Sequence, residues 1–599
     1  MFLAMTALSE FWDTRQPMLF LGSWCLRHDR RAQWESLRYE VLPSPWSDRR
    51  RYGEAAQEAD ATAERLLDAL AGYLNEAHGL SHGRRYWRVL CGAWCAVFVH
   101  AVYDRYVHLR EALRDRPDLE TLALDPSSYR TPASFSELSR LLNDDAYNLQ
   151  LYSELLHHMG YAFPLRSRPQ PTVVAEAVPG VSAVRTLQRS IAAMLRKAQG
   201  RRYAAALCDL SAPTDVAWRL AWRLRFQAVP MDSEEVALPL MPAVFDARRN
   251  GLVQVRADNE FERLLVQLLP RHLPTAYLEG FSAARRAVLR RYPSLPPVVA
   301  SSVGWYYNEP FKFFAAEAVQ HGSRLIAIQH GGAYGMSRFC THELHERRLS
   351  DCFIAWGWAG ADDASARNLP VYHPIARRTG RDGAPLFILT EHPRYLHDFR
   401  STPSGSLWTE YLAWQQRFIG TLPDALRRTF VVRAYPERFG HAIQEQLAER
   451  FPQLQWDEAP LLAARLRSCR LVVVDHLATT FLEALAADVP TVLFWDPNRW
   501  EARHSAQPAL DVLRQAGILW DEPEAAARHI AAIAPDVEAW WRQPQVQSAR
   551  AACLRRFLRT EADWTTAWAA LLTEQAGLAS SRPSGEALPD AVPAAAVHA

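Results

Sequence analysis

No stretch of this 599-residue chain reaches about 18 uncharged apolar residues, so it holds no segment with the composition of a membrane-spanning helix. The N-terminus, MFLAMTALSEFWD, has an apolar stretch too short and too soon interrupted by acids for a signal peptide, so the expected location is the cytoplasm. Charge of one sign is also lacking. Lys+Arg 68 against Asp+Glu 66 leaves a formal +2, too little for a global field that draws nucleic acid. The basic clusters at Arg49–Arg51, Arg201–Arg202 and Arg285–Arg291 are local faces, suited to water or to an anionic lipid or glycan surface, which leaves peripheral contact with the inner membrane open. The 8 cysteines follow no disulfide framework, and Cys91 and Cys95, spaced i, i+4 on an apolar helix, read as buried thiols. A metal site is not expected. THELHE (Thr341–Glu346) sets two histidines three apart where HExxH needs four, and no Cys/His cluster completes a zinc set; Glu343 and His345 read instead as supports of a neighbouring loop. No internal repeat is found, and beyond Gly577 the Ser, Pro and Ala content reads as a disordered tail.

What the chain does have is apolar and aromatic mass: 49% hydrophobic residues, 21 Trp and 20 Tyr, enough for several cores in two to four domains. The aromatics suit stacking on sugars or bases and equally suit a large core. Met18–Trp24 reads as one early strand, followed by long helices around Ala61–Leu74 and Tyr86–Leu109, and Gln170–Gly180 reads as a linker. From Pro297 a regular alternation begins. Strands are expected at Val298–Ser301, Arg324–Gln329 and Cys352–Trp356, then, after a Pro-containing connector at Ala359–Gly383, at Leu386–Leu389, Phe430–Val432, Leu471–Val474 and Thr491–Phe494. The fold class is therefore α/β, with two successive Rossmann-like domains facing a cleft, extra N-terminal helices and C-terminal helices that return to the first domain. The expected divisions are 1–378, 379–545, 546–576 and the tail 577–599. This layout resembles a GT-B glycosyltransferase.

Chemistry-bearing residues gather where strands end. LVVV (Leu471–Val474) runs into Asp475 and His476, and then into a helix opened by Thr479 and Thr480, whose free N–H groups and hydroxyls form an anion site; Glu483, one turn on, can reach a ribose diol. The plainer alternative makes Thr479 a cap and Glu483 a solvated charge. His330 follows the strand LIAI and enters the loop Gly331, Gly332, Ala333, Tyr334, Gly335, whose glycines let backbone approach a ligand; an imidazole there can take a proton from an attacking hydroxyl, or simply brace the loop. His392 and Arg433 end the first two strands of the second sheet, where they can hold a phosphate leaving group. Alternatively, Arg433 pairs with an acid such as Glu437 and His392 caps a helix. Asp104, beside Arg105, either lines an acceptor cleft or braces a helix as a buried ion pair.

Taken in order, FWD (Phe11–Asp13), FLGSWC (Phe20–Cys25), LPSPWSDR (Leu42–Arg49), RYWRVL (Arg85–Leu90), YDRY (Tyr103–Tyr106), NLQLYS (Asn148–Ser153), QHGGAYG (Gln329–Gly335), ELHE (Glu343–Glu346), AWGW (Ala355–Trp358), DHLATTFLEAL (Asp475–Leu485) and PTVLFWDP (Pro490–Pro497) resemble the transferases encoded in bacterial O-antigen and surface-polysaccharide gene clusters. A looser likeness, in the second half, is to Kdo transferases and teichoic acid glycerophosphotransferases, from whose HGT loop Gly332-Ala333-Tyr334 departs. The resemblance implies a glycosyltransferase that moves a sugar from a nucleotide-activated donor, as co-substrate, to a lipid-linked or oligosaccharide acceptor, without metal or other cofactor. His330 would be the base, and His392, Arg433, Asp475, His476, Thr479, Thr480 and Glu483 the donor side. Gly331, Gly332, Tyr334, Glu343, His345 and Asp104 would form the loop and acceptor side. A nucleotide-sugar 2-epimerase of the same layout and a non-catalytic assembly factor are the other readings.

Overall fold

Short β-branched runs make two parallel sheets in the computed structural model, which describes residues 1–577 apart from 115, 170–182, 201–202, 234–235, 237, 239–245, 373–374 and 404. The expected linker at Gln170–Gly180, the Arg201–Arg202 cluster, Pro374 of the connector and the tail lie outside the described residues. The chain opens with a sheet of three parallel strands, β1 (Phe2–Ala4), β2 (Met18–Phe20) and β3 (Tyr39–Val41), where the sequence suggested one strand. Two helices of 30 residues follow, α1 (Arg49–His78) and α2 (Arg84–Leu113). The second of these is buried on nearly every side, which explains its weak amphipathic pattern. β4 (Ala123–Leu124) and β5 (Leu165–Arg166) form a short parallel pair.

The first large sheet contains β6 (Ala205–Cys208), β7 (Ala228–Met231), β8 (Val298–Ser301), β9 (Arg324–Ile328), β10 (Cys352–Ala355) and β11 (Ala366–Asn368), in the order β11-β10-β9-β8-β6-β7. The second contains β12 (Leu386–Ile388), β13 (Val431–Arg433), β14 (Gln455–Trp456), β15 (Val472–Val474), β16 (Thr491–Phe494) and β17 (Leu519–Trp520), in the order β14-β13-β12-β15-β16-β17. Both are doubly wound, so strand order reverses between β6 and β8 in one and between β12 and β15 in the other. Crevices open at the carboxyl ends of such reversals. The register sets Ile388 opposite Val474 and Cys208 opposite Ser301, so the loops that follow leave each sheet side by side. The α/β expectation of two sheets facing a cleft holds. β6 and β7 were not anticipated, because AALC and AVPM carry too few β-branched residues to stand out.

The N-terminal helices brace both halves. α2 packs on helix Glu309–Gln320 of the first sheet, and the long loop after β12 plugs into the N-terminal unit. Buried Arg394 pairs with Asp145 at 3.0 Å and donates to the Trp24 carbonyl at 2.7 Å, while the Phe399 N–H donates to His100 Nδ1 at 3.1 Å. The end of the chain returns as expected. Arg559 N–H donates to the Trp356 carbonyl at 2.8 Å, Trp568 Nε1–H donates to the Pro370 carbonyl at 2.8 Å, and helix Trp564–Gln575 packs on helix Thr214–Arg223.

Candidate active site

After β9 the chain turns out of the sheet under the control of Gln329, which is buried. Its side-chain carbonyl accepts from Trp356 N–H (2.9 Å) and Trp358 Nε1–H (2.7 Å), and its amide donates to the Gly331 carbonyl (2.8 Å). His330 is thereby held at the rim, with 19% of its side chain exposed. The Tyr334 hydroxyl lies 3.1 and 3.2 Å from its two ring nitrogens and donates to Glu346 Oε1 at 3.0 Å; that oxygen is 3.4 Å from His330 Nδ1. Burial lowers His330 to about 4 against a backbone hydrogen bond to Ser302 that raises it, and burial pushes the Glu346 carboxyl well up. At neutral pH the imidazole is uncharged and able to accept a proton. His342, whose ring centroid is 5.8 Å from that of His330, is lowered to about 3, first by burial and then by Arg400.

The glycines of this loop serve protein contacts. Gly335 takes φ +70°, and a Cβ there would lie 2.2 Å from the Trp358 ring. A Cβ on Gly332 would lie 2.7 Å from Thr479 Cα, because the Gly332 N–H donates to Thr479 Oγ1 at 2.8 Å. The loop of the first sheet therefore sits directly on the helix start of the second, and the expected anion site is covered by protein. Glu343 completes the seam: it accepts from Gly335 N–H (2.9 Å) and forms a two-pronged pair with Arg503 (3.0 and 2.7 Å). Gly332→Ala sets side chain against backbone and should destabilise the protein by about 1–3 kcal/mol. Gly331→Ala meets nothing closer than 3.7 Å and should stay within about 0.5 kcal/mol of wild type. Thermal melts of the two variants check this, and equal melting points would contradict the seam.

On the second sheet, Asp475 is buried at the β12/β15 reversal. It accepts from the Tyr411 hydroxyl (2.9 and 2.8 Å) and Gln415 Nε2 (3.0 Å) and pairs with His476 Nδ1 (2.9 Å), so it anchors the crevice floor and is not placed to touch a phosphate. The Tyr411 oxygen also accepts from Thr390 N–H at 3.0 Å, tying together the loops that leave β12 and β15. His392 does not cap a helix. Its ring lies against Trp408 and Trp500 (centroids 5.8 and 5.9 Å), and burial lowers it to about 3. Its Nε2 is buried without a hydrogen bond among the described residues, a polar atom with its capacity unused.

Arg433 stands apart from the Asp475–Thr480 turn. It is held by Asp457 (2.5 Å) and the Ala459 carbonyl (2.8 Å), not by Glu437, and lines a separate cleft of about 590 Å³ with Thr390, Glu391, Tyr435 and Arg438. Thr479 is not the cap of its helix; Ala478 holds that position. Thr480 and Glu483 are half-buried, the latter with its carboxyl raised by burial. Two of the expected acceptor-side residues are in the core. Asp104 accepts from Trp46 Nε1–H at 2.6 Å and pairs with Arg105 at 3.0 Å, the helix brace; His345 is packed against Gly92 of α2. Asp398 and Arg400 were missed. They pair at 2.5 Å, and the loop after β12 that carries them meets the start of helix Thr341–Leu349, where the Thr341 hydroxyl donates to the Phe399 carbonyl at 3.4 Å. DFR in a loop carries no periodic signal, and only the fold brings it to the first sheet.

The sequence matches the LIC12162 family of transferases over residues 1–572. The chain belongs to that family. This LIC12162 family transferase has no match among curated proteins. Solved structures similar to it include MurG of Acinetobacter baumannii (11% identity, 62% of this chain and 99% of that one, TM-score 0.33) and WaaG, a glycosyltransferase of lipopolysaccharide biosynthesis (10%, 62% and 99%, TM-score 0.30). SsfS6, a glycosyltransferase of Streptomyces sp. SF2575, is similar at 13% identity over 61% of this chain and 99% of that one, with a TM-score of 0.28. At these scores the likenesses carry no argument about chemistry.

Proposed function

We propose that this family member is a GT-B-type glycosyltransferase that moves a sugar from a nucleotide-activated donor to a lipid-linked or oligosaccharide acceptor during surface-polysaccharide assembly. The observation that carries the reading is the Gly332–Thr479 contact, which sets the loop after β9, two residues on from a neutral histidine, on the helix start beside the β12/β15 reversal. The donor phosphates bind at Thr479 and Thr480. To enter they displace the Gly332–Thr479 hydrogen bond, after which the Gly332 N–H, the Thr479 hydroxyl and the helix N–H groups all become donors to the phosphate. Glu483 takes the ribose, and His392 offers its unused ring nitrogen. His330 removes the acceptor proton as the new glycosidic bond forms, and the Tyr334 hydroxyl, which donates to Glu346, accepts from the imidazolium. The leaving group is a nucleotide whose charge is met by fixed dipoles.

A melting-point screen with CMP, CDP, UDP, GDP and dTDP tests the donor side, since a ligand of the folded state raises the melting temperature. One nucleotide should shift it, and Thr480→Ala should abolish the shift in a protein that still melts cooperatively. No shift with any of the five at millimolar concentration would count against the reading.

A further inference from the structure

Surface helices ordinarily turn their apolar stripe inward. Helix Ala183–Gln199 does the reverse. Val184 (66% exposed), Leu187 (60%), Ile191 (36%) and Met194 (62%) follow one another at spacings of three, four and three, forming one outward stripe, while Ala192 on another side is buried. Nearby helix Thr214–Arg223 carries Trp222, 74% exposed. The two helices flank a cleft of about 710 Å³ at the carboxyl ends of β6 and β7, lined by Ala192 and Arg196 of one and Ala217 and Trp218 of the other. The same cleft reaches Val303 and Tyr307, next to the Ser302 backbone that holds His330.

We infer that this face is a seat for an anionic lipid bilayer, from which a membrane-borne acceptor reaches the cleft. Charge selects the occupant. In a chain whose formal net charge is +2, helix Ala183–Gln199 carries Arg185, Arg189, Arg196 and Lys197 and no acid, and helix Thr214–Arg223 adds Arg219 and Arg223 against Asp215; Arg185 and Arg189 share one carboxylate, Asp232, at 2.6 and 3.0 Å, and Arg196 donates to the Pro230 carbonyl, so cations still outnumber acids on this face. An apolar stripe with long cationic side chains and an interfacial tryptophan is the composition of a helix that lies in the headgroup region. No helix among the described residues is long and apolar enough to cross a membrane, so attachment at this face is to the surface. The use of the cleft by an acceptor rests on the glycosyltransferase reading; the lipid seat does not.

The test is co-sedimentation of the full chain with vesicles of phosphatidylcholine alone or mixed with phosphatidylglycerol. Binding is expected to the mixed vesicles, weaker at raised salt. The double variant Leu187→Gln/Met194→Gln changes only exposed side chains and should bind at least about tenfold more weakly. Lys197→Glu should weaken binding with the apolar stripe intact. Failure to sediment with either vesicle, or undiminished binding by the double variant, overturns the proposal. So does a wild-type dimer in sedimentation velocity that the double variant dissolves, which would make the stripe a contact between two copies. Nucleotide-induced melting shifts, measured on the same proteins, separate the two readings: their absence beside intact vesicle binding would sink the transferase reading alone.

Discussion

His330→Ala is expected to lower kcat/KM for sugar transfer by about 10²–10⁴-fold, the range supplied by a positioned general base. The imidazole is at the rim of the seam, and its contacts are to Tyr334, Glu346 and the Ser302 backbone, so truncation leaves the Gln329 anchor and the Gly332–Thr479 bond in place. The variant should therefore melt near the wild-type temperature and keep its nucleotide-induced shift. A pH profile gives a second readout. With the ring lowered to about 4, wild-type kcat/KM should stay level through neutral pH and fall about tenfold per unit only below about pH 4, as far as the fold persists. Tyr334→Phe keeps the ring packing and removes the bridging hydroxyl; it should cost less than His330→Ala while moving the acid limb. Transfer by His330→Ala within threefold of wild type would show that the base lies elsewhere.

Acidification is expected to destabilise this protein well before its carboxylates protonate. His330 is lowered to about 4, and His342, His392 and His397 to about 3, burial being the leading cause for each. The sign follows from linkage: these folded-state values lie below the ordinary 6.5, so below pH 6.5 the unfolded chain binds protons that the folded one refuses. Their stabilisation is complete above pH 6.5 and is lost progressively as pH falls toward 3–4. Each such group contributes about 1.4 kcal/mol per pH unit across that window. Glu346, Glu391 and Glu483, raised by burial, act in the opposite direction, but His345 and His441 are also lowered by burial and add to the four. Melting temperature should therefore decline steeply between pH 6.5 and 5, and replacing His342 and His397 by Asn should flatten that decline. A flat profile from pH 7.5 to 5 would mean that these rings are hydrated or charged in the folded protein.

Much of the second sheet was legible because its signal is local. Val472–Val474 and Thr491–Phe494 are short β-branched runs bounded by polar turns, and burial on both faces of a parallel sheet demands that composition. The same reading located His330, Asp475 and Thr479 at strand ends, since a carboxyl end is where an apolar run stops. It left two roles open where a distant partner decides between them. Arg433 reads as a phosphate ligand or as half of an ion pair, and Asp457, 24 positions on, supplies the pair; Asp104 reads as a cleft residue or as a buried brace, and Trp46, 58 positions back, donates to it in the core.

By itself the sequence determined the α/β class, most strands from Val298 onward and the turns that carry polar residues, because periodicity and strand ends are properties of neighbouring positions. Tertiary structure alone decided which turns meet: Gly332 on Thr479, Glu343 on Arg503, and Thr341 on Phe399. Those pairings depend on strand order and on the docking of one sheet against another. Contacts between positions 58 to 160 residues apart leave no mark in the spacing of either partner.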